Sequence, residues 1–217
     1  MTTSELKTLE KQLSRPEGTF GIELGKRMNK SNMSMTLETI KAAQIADNFN
    51  VLELGHGICG HLLTVLQQAE NISYQGLEVS ELIVEEAKRI NKNLINQDNN
   101  FTLYNGVNIP FSENQFGVVF SVNTIYFWKK PQKVMAEISR VLKTNGIALL
   151  TYAEKEFMKK LPFVMDKFKL YDVTDIDNLL DKSILQIERI IEKEEQVISK
   201  SGEDVLRKYQ IVVIRKK

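Results

Sequence analysis

Cysteine is nearly absent: the 217 residues contain one, Cys59. That excludes an intramolecular disulfide and any zinc site built on several cysteines, and it fits a reducing compartment. Excess charge of either sign is missing too, with 29 Lys+Arg against 28 Asp+Glu and a formal net charge of +1. A protein that draws its affinity from neutralising nucleic-acid phosphates is more basic than this, and so is a polybasic membrane-surface binder. No stretch approaches the roughly 18 uninterrupted apolar residues of a membrane span. The opening MTTSELKTLEKQL has no apolar signal core. What is present is an ordinary globular composition, 42% hydrophobic and 26% charged, far from the regime of disorder. At roughly 100 to 200 residues per domain, we expect one domain, soluble and cytoplasmic, without nucleic-acid or membrane partners.

Leu6, Leu9 and Leu13 stand at helical spacing before Arg15-Pro16-Glu17-Gly18 breaks the pattern. From Thr36, a candidate N-cap, TLETIKAAQIAD predicts a second helix. The strand Val51–Leu54 runs into the cluster Gly55-His56-Gly57-Ile58-Cys59-Gly60 and then the helical periodicity of HLLTVLQQA. Tyr74 to Val79 reads as a second strand, with Ser80 capping the helix that carries Leu82, Ile83, Ala87, Ile90 and Leu94. A third strand follows at Phe101 to Tyr104, and the run Phe116 to Val122 has the look of a strand buried on both faces. Pro131 opens a helix that Asn145-Gly146 stops, before a fifth strand at Ile147 to Thr151. Strands alternating with helices make a parallel sheet economical. Beyond it, Thr174-Asp175-Ile176-Asp177 resembles a capping box. Two β-rich segments, Ile184 to Ile191 and Tyr209 to Ile214, flank the polar stretch around Lys200 to Glu203 and pair antiparallel at an edge.

The loop fits G-x-G-x-x-G through Gly55, Gly57 and Gly60, a weak motif alone. Here it follows a strand and opens a helix, and Glu78 ends the next strand about 20 residues on, where a carboxylate accepts from ribose hydroxyls. These features specify an adenosine-containing ligand. Glu53, two residues before the first glycine, repels a pyrophosphate but suits a ligand with sulfonium and ammonium groups.

With VLELGHGICG, GLEVS, NGVNIPFSENQFGVVFSVNTIYFW and VMAEISRVLKTNGIALL in this order, the chain resembles the class I S-adenosylmethionine-dependent methyltransferases, in their small-molecule, type 11-like branch. The resemblance runs from about Leu13 to the C-terminus. It implies an α/β, Rossmann-like, seven-stranded, mostly parallel sheet with an antiparallel edge strand and helices on both faces. SRPEGTFGIELGKRMNKSN resembles a lid found in some members, which divides the chain into an N-terminal helical lid over 1–48 and a core over 49–217. S-adenosyl-L-methionine is the implied cofactor. The residues it would meet are Glu53, Gly55, His56, Gly57, Gly60, Glu78 at the ribose, Val79 at the adenine, and Asn123 facing the methyl donor. Where members read Gly-Asp-Ala, this chain has Gly106-Val107-Asn108: the acid is missing, and Asn108 or backbone groups of Val107 and Asn108 would replace it at the adenine edge. Gly117 likewise replaces the Asp of the fourth strand's start. Tyr126, Phe127 and Trp128 would form part of the acceptor wall, Tyr126 and Trp128 as the substrate-binding candidates.

No catalytic pair stands out. His56 is a weak candidate base, a solvated loop histidine being the commoner case, and His61 a weaker one. Cys59 reads as a packing residue, and no metal site is read. Asn123-Thr124-Ile125-Tyr126 lacks both prolines of the Asn/Asp-Pro-Pro-aromatic motif of enzymes that methylate nucleobases or protein amides. The expected partner is a small-molecule acceptor and the expected state a monomer or homodimer. A non-catalytic S-adenosylmethionine-binding module and, further off, an NAD-dependent oxidoreductase are the alternatives.

Overall fold

Phe116–Val122 forms β4, buried along its whole length. It lies fourth of seven strands, ordered β3-β2-β1-β4-β5-β7-β6, in a computed structural model that describes residues 1–199 and 201–217. β1 (Asn50–Leu54), β2 (Ser73–Glu78) and β3 (Asn99–Leu103) extend the sheet in parallel on one side of β4. β5 (Leu142–Ala153) continues it in parallel on the other. β7 (Asp204–Lys216) pairs antiparallel with β5, and β6 (Leu185–Ile198) closes the edge antiparallel to β7. Chain order reverses direction between β1 and β4, so the carboxyl ends of these strands border the crevice that doubly wound sheets use for ligands.

Side chains alternate across the strands, so each strand feeds two cores. Leu52 and Leu54 of β1 join Val119, Leu150 and Val212 beneath α5 (Pro131–Val141), which contributes Val134 and Ile138. Val51 points to the opposite face, with Val118, Phe120, Leu149 and Val213 under α2 (Gly18–Ala43) and α4 (Glu81–Ile90). Helices therefore cover both faces, as expected. Ser80 caps α4 by accepting from Ile83 N–H, and its hydroxyl donates to the Pro16 carbonyl at 2.6 Å. That bond fixes the turn between α1 (Thr3–Ser14) and α2 at the tip of β2.

Two helix starts differ from the sequence reading. α2 begins at Gly18, not near Thr36, and the Thr36 hydroxyl bonds back to Asn32 C=O inside the helix. The glycines and polar residues from Gly18 to Ser34 hide the apolar period there, while Leu24, Gly25 and Met35 are nonetheless buried. The last short helix, α7 (Val173–Asp177), is capped by Asp172 paired with Asp175, two residues before the expected box. The helix after the glycine loop, α3, is short (Leu62–Leu66), and α6 (Lys155–Met158) follows β5. β6 and β7 are longer than expected. Lys200, in the polar stretch between them, lies outside the described residues.

Candidate active site

A cavity of about 400 Å³ opens at the carboxyl ends of β1, β2 and β4, roofed by the α1–α2 turn and the first half of α2. Gly55 and Gly57 turn the chain from β1 with φ of +74° and +56°. A Cβ on Gly55 would stand 2.3 Å from Thr124 Cγ2, so the loop and the tip of β4 touch there; at Gly57 it would meet open space. Gly60 N–H donates to Asn29 Oδ1 of α2 at 3.1 Å, tying the roof to the loop.

Glu53 is 2% exposed. Its Oε2 accepts from His61 Nε2 at 2.8 Å and from Tyr74 O–H at 2.5 Å, and Cys59 Sγ contacts the same two side chains at 3.6 and 3.3 Å. Burial opposes ionisation of Glu53, but the His61 charge and these two hydrogen bonds outweigh it and hold the carboxyl below its usual range. Burial opposes charge on His61 as well, yet Cys59 and the Glu53 carboxylate hold its pKa well above the ordinary value. Glu53, Cys59 and His61 place one ligand-type atom each within 4.8 Å of one another, the one grouping among the described residues with metal-compatible spacing.

His56 is a different case. Its Nδ1 lies 2.6 Å from Gly57 C=O and its ring lies against Phe101, centroids 4.7 Å apart. Burial lowers its pKa to about 4, so the ring is neutral at pH 7. In that form the nitrogen at the carbonyl carries the proton. Nε2 is then a buried lone pair without a protein partner.

Glu78 Oε1 accepts from the backbone N–H of Val79 (2.6 Å) and Ser80 (3.2 Å), and Oε2 from Gly57 N–H at 3.3 Å. Burial raises its carboxyl above the usual range against the pull of these three donors. At the tip of β4, Asn123 adopts φ +56°. Its Oδ1 accepts from Tyr126 O–H at 3.0 Å and Ala153 N–H at 3.3 Å, and its Nδ2 reaches Met35 Sδ at 3.2 Å.

Beyond Asn123 lies a second cavity of about 90 Å³, bordered by Phe127, Phe157, Phe163, Phe168, Tyr126 and Arg207. Leu13, Met28, Asn32, Asn123 and Phe127 border both cavities.

Of the residues singled out in the sequence, Glu53, Gly55, His56, Gly57, Glu78, Val79, Val107, Asn123 and Trp128 line the larger cavity, and Tyr126 the smaller. Gly60 and Asn108 line neither: Gly60 lies against Asn29, and Asn108 N–H is held by Asn105 Oδ1. Asn105, in place of Asn108, is the amide that this loop brings to the cavity wall. Sequence reasoning missed Asn29, Tyr74, Asn105 and Arg207. Arg207 carried a signal, since it continues the alternating stripe of Tyr209, Ile211 and Val213, and a charge in a buried stripe asks for a partner.

Residues 52–150 match the family model described as "Methyltransferase domain". Among curated proteins, none matches the sequence. Solved structures share the fold at low identity. The Haloferax volcanii protein solved in complex with the Trm112 methyltransferase activator has a TM-score of 0.69 at 14% identity, over 88% of this chain and 92% of its own. The YcgJ protein of Bacillus subtilis has a TM-score of 0.65 at 15% identity, over 85% and 98%. Phosphoethanolamine N-methyltransferase 2 of Haemonchus contortus, solved with phosphomonomethylethanolamine and S-adenosylhomocysteine, has a TM-score of 0.69 at 14% identity, over 96% of this chain and 60% of its own. Residues 52–150 thus carry a methyltransferase domain, and the chain as a whole shares its fold with these solved structures. Among the described residues, no helix is long and apolar enough to cross a membrane.

Proposed function

We propose that this chain transfers a methyl group from S-adenosylmethionine to a small-molecule acceptor. The observation that carries the reading is Glu78: a buried carboxylate fixed by three backbone N–H groups in the wall of a glycine-lined cavity, adjoining a separate aromatic cavity. The residues fit the cofactor. Gly57, where a Cβ would enter open space, keeps the loop clear for a ligand, Glu78 offers oxygens to a ribose diol, and Val79, Val107 and Ile58 give the cavity apolar surface for a purine. When bound, the cofactor supplies a methyl group already activated on a positive sulfur.

With the donor activated, the protein's share is positioning and exclusion of water, which can supply several kcal/mol of barrier reduction. Asn123, locked by Tyr126 and Ala153, stands at the boundary of the two cavities and sets where the acceptor meets the donor. The Glu53 carboxylate contributes negative charge under the loop while His61 balances it. His56 borders the larger cavity and not the aromatic one, which argues against its serving as base for the acceptor. We read the chain as a cytoplasmic enzyme on the same grounds of composition given above.

The test is thermal unfolding with ligands. S-adenosylmethionine and S-adenosylhomocysteine are expected to raise the melting temperature, and NAD to leave it unchanged. A well-folded sample that responds to neither sulfur ligand overturns the reading.

A further inference from the structure

The aromatic cavity holds a charge that its composition does not suggest. Arg207 is 5% exposed. Its Nε and Nη2 donate to Glu195 Oε1 at 3.1 and 2.6 Å, and Nη2 also donates to Ser31 C=O at 2.7 Å. Nη1 lies 3.4 Å from Asn32 Oδ1. Glu195 balances the charge from β6 but lies outside the cavity lining, whereas Arg207 is one of the lining residues. Among the described residues of that lining, Arg207 and Tyr126 are the only ionisable side chains; there is no Asp, Glu, His, Lys or Cys.

We propose that the acceptor is a single-ring aromatic molecule that reacts as an oxygen or sulfur anion, held between the phenylalanines and Arg207. This rests on the methyltransferase reading above. The size follows from the cavity, whose 90 Å³ accommodates roughly six to nine water-sized atoms. The ring follows from the walls: Phe168 lies 4.7 Å from Phe127, 5.6 Å from Tyr126 and 6.1 Å from Phe163, centroid to centroid, and offset or edge contacts favour another aromatic. The charge follows from two observations. Among the described residues of the lining, no side chain can take a proton from an aliphatic hydroxyl or an ammonium, so an acceptor needing a base is not served by them. An aromatic cage alone attracts a cation, but a buried guanidinium in its wall repels one and favours an anion. The same field reaches Tyr126, where Arg207 opposes the upward push of burial on the phenol. Among the described residues, Tyr126 and Tyr209 are the titratable groups that Arg207 faces besides Glu195.

The step balances without an enzymic base. The acceptor gives its proton to solvent on ionising. Its oxygen or sulfur lone pair then forms the new bond to the methyl carbon as the donor's carbon–sulfur bond breaks, that pair staying on sulfur. One negative and one positive charge are consumed together.

The experiment uses 4-cyanophenol, which stays within that size and whose anion absorbs at a longer wavelength than its neutral form, with the full chain and with Arg207→Met and Arg207→Lys. Bound to the wild type, the probe is expected to ionise at lower pH than in solution, by about one unit, equivalent to tenfold tighter binding of the anion. Arg207→Met is expected to abolish the shift and Arg207→Lys to retain it. Benzylamine, a cation of similar size, is expected to compete at least tenfold more weakly. Release of S-adenosylhomocysteine with a series of phenols and thiophenols should then follow pH through each acceptor's own ionisation. An unshifted or upward-shifted probe, or preference for benzylamine, overturns the anionic class. So does a lack of turnover of every phenol and thiophenol while S-adenosylmethionine still raises the melting temperature. Loss of that thermal response instead overturns the reading beneath it.

Discussion

His61 Nε2 lies 2.8 Å from Glu53 Oε2, with both side chains at least 96% buried. The carboxylate that precedes the glycine loop is therefore half of an ion pair, supported by Tyr74, rather than a bare charge facing the ligand. A buried pair is costly to assemble and costlier to break from one side.

Replacing His61 by Leu leaves Glu53 buried with Tyr74 as its neutral donor. Stability should fall by about 3 to 5 kcal/mol, read by urea unfolding near pH 6. Because the folded pKa of His61 is raised, its contribution is full below about 6.5 and is lost as pH rises through the folded value. The wild type should thus lose stability on the alkaline side by more than His61→Leu does. Parallel alkaline curves for the two proteins would show that the histidine carries no charge in the folded state.

His56 has the opposite sign. Its folded pKa is depressed to about 4, so the unfolded chain takes up its proton first, near 6.5. Stability is held above that value and lost as pH falls from it toward 4. The loss attributable to this residue is on the order of 3 kcal/mol. His56→Leu should flatten this acid limb relative to wild type, as measured by denaturant midpoints at pH 7, 5.5 and 4.5. An acid limb identical in the two proteins contradicts the neutral, buried assignment.

Gly55→Ala tests the contact between the glycine loop and the tip of β4. Its φ of +74° and the 2.3 Å approach to Thr124 Cγ2 leave no room for a methyl group. A loss of at least about 2 kcal/mol is expected. Gly57→Ala, at a similar φ but with open space around the new atom, should cost only about 1 kcal/mol in stability. It should weaken ligand binding more than Gly55→Ala weakens it per unit of stability lost. Equal stability costs at both positions would contradict the geometry.

The sheet was legible because its signals are local. β4 is one apolar run between polar residues, β1 ends in glycines, and Pro131 stands at the first turn of α5. The antiparallel pair at the edge followed from a separator too short for a crossover helix. The 26-residue α2 was read from Thr36 only, because Gly21 and Gly25 are there for close packing against Pro16 and Ile83 and not for helix propensity. The lining residues at the glycine loop and the strand tips were named from the sequence, whereas the individual residues that the α1–α2 turn and α2 add to the lining were not. The partners of Glu53 were not, because His61 and Tyr74 meet it only when α3 and β2 are laid beside β1. Arg207 sits 81 residues after Tyr126 in sequence yet borders the same cavity, a neighbourhood that only the β5–β7 pairing creates.

Calorimetric titration of S-adenosylhomocysteine into the wild type, Glu78→Gln and Glu78→Ala probes the cofactor assignment at its anchoring residue. A carboxylate that accepts from a diol contributes about 1.5 to 3 kcal/mol, so Glu78→Gln should bind about ten- to a hundredfold more weakly and Glu78→Ala more weakly still. Wild-type affinity should also decline as pH falls toward the raised pKa of Glu78, where protonation removes the acceptor. Binding to folded Glu78→Ala with wild-type affinity would contradict the assignment of this cavity to the cofactor.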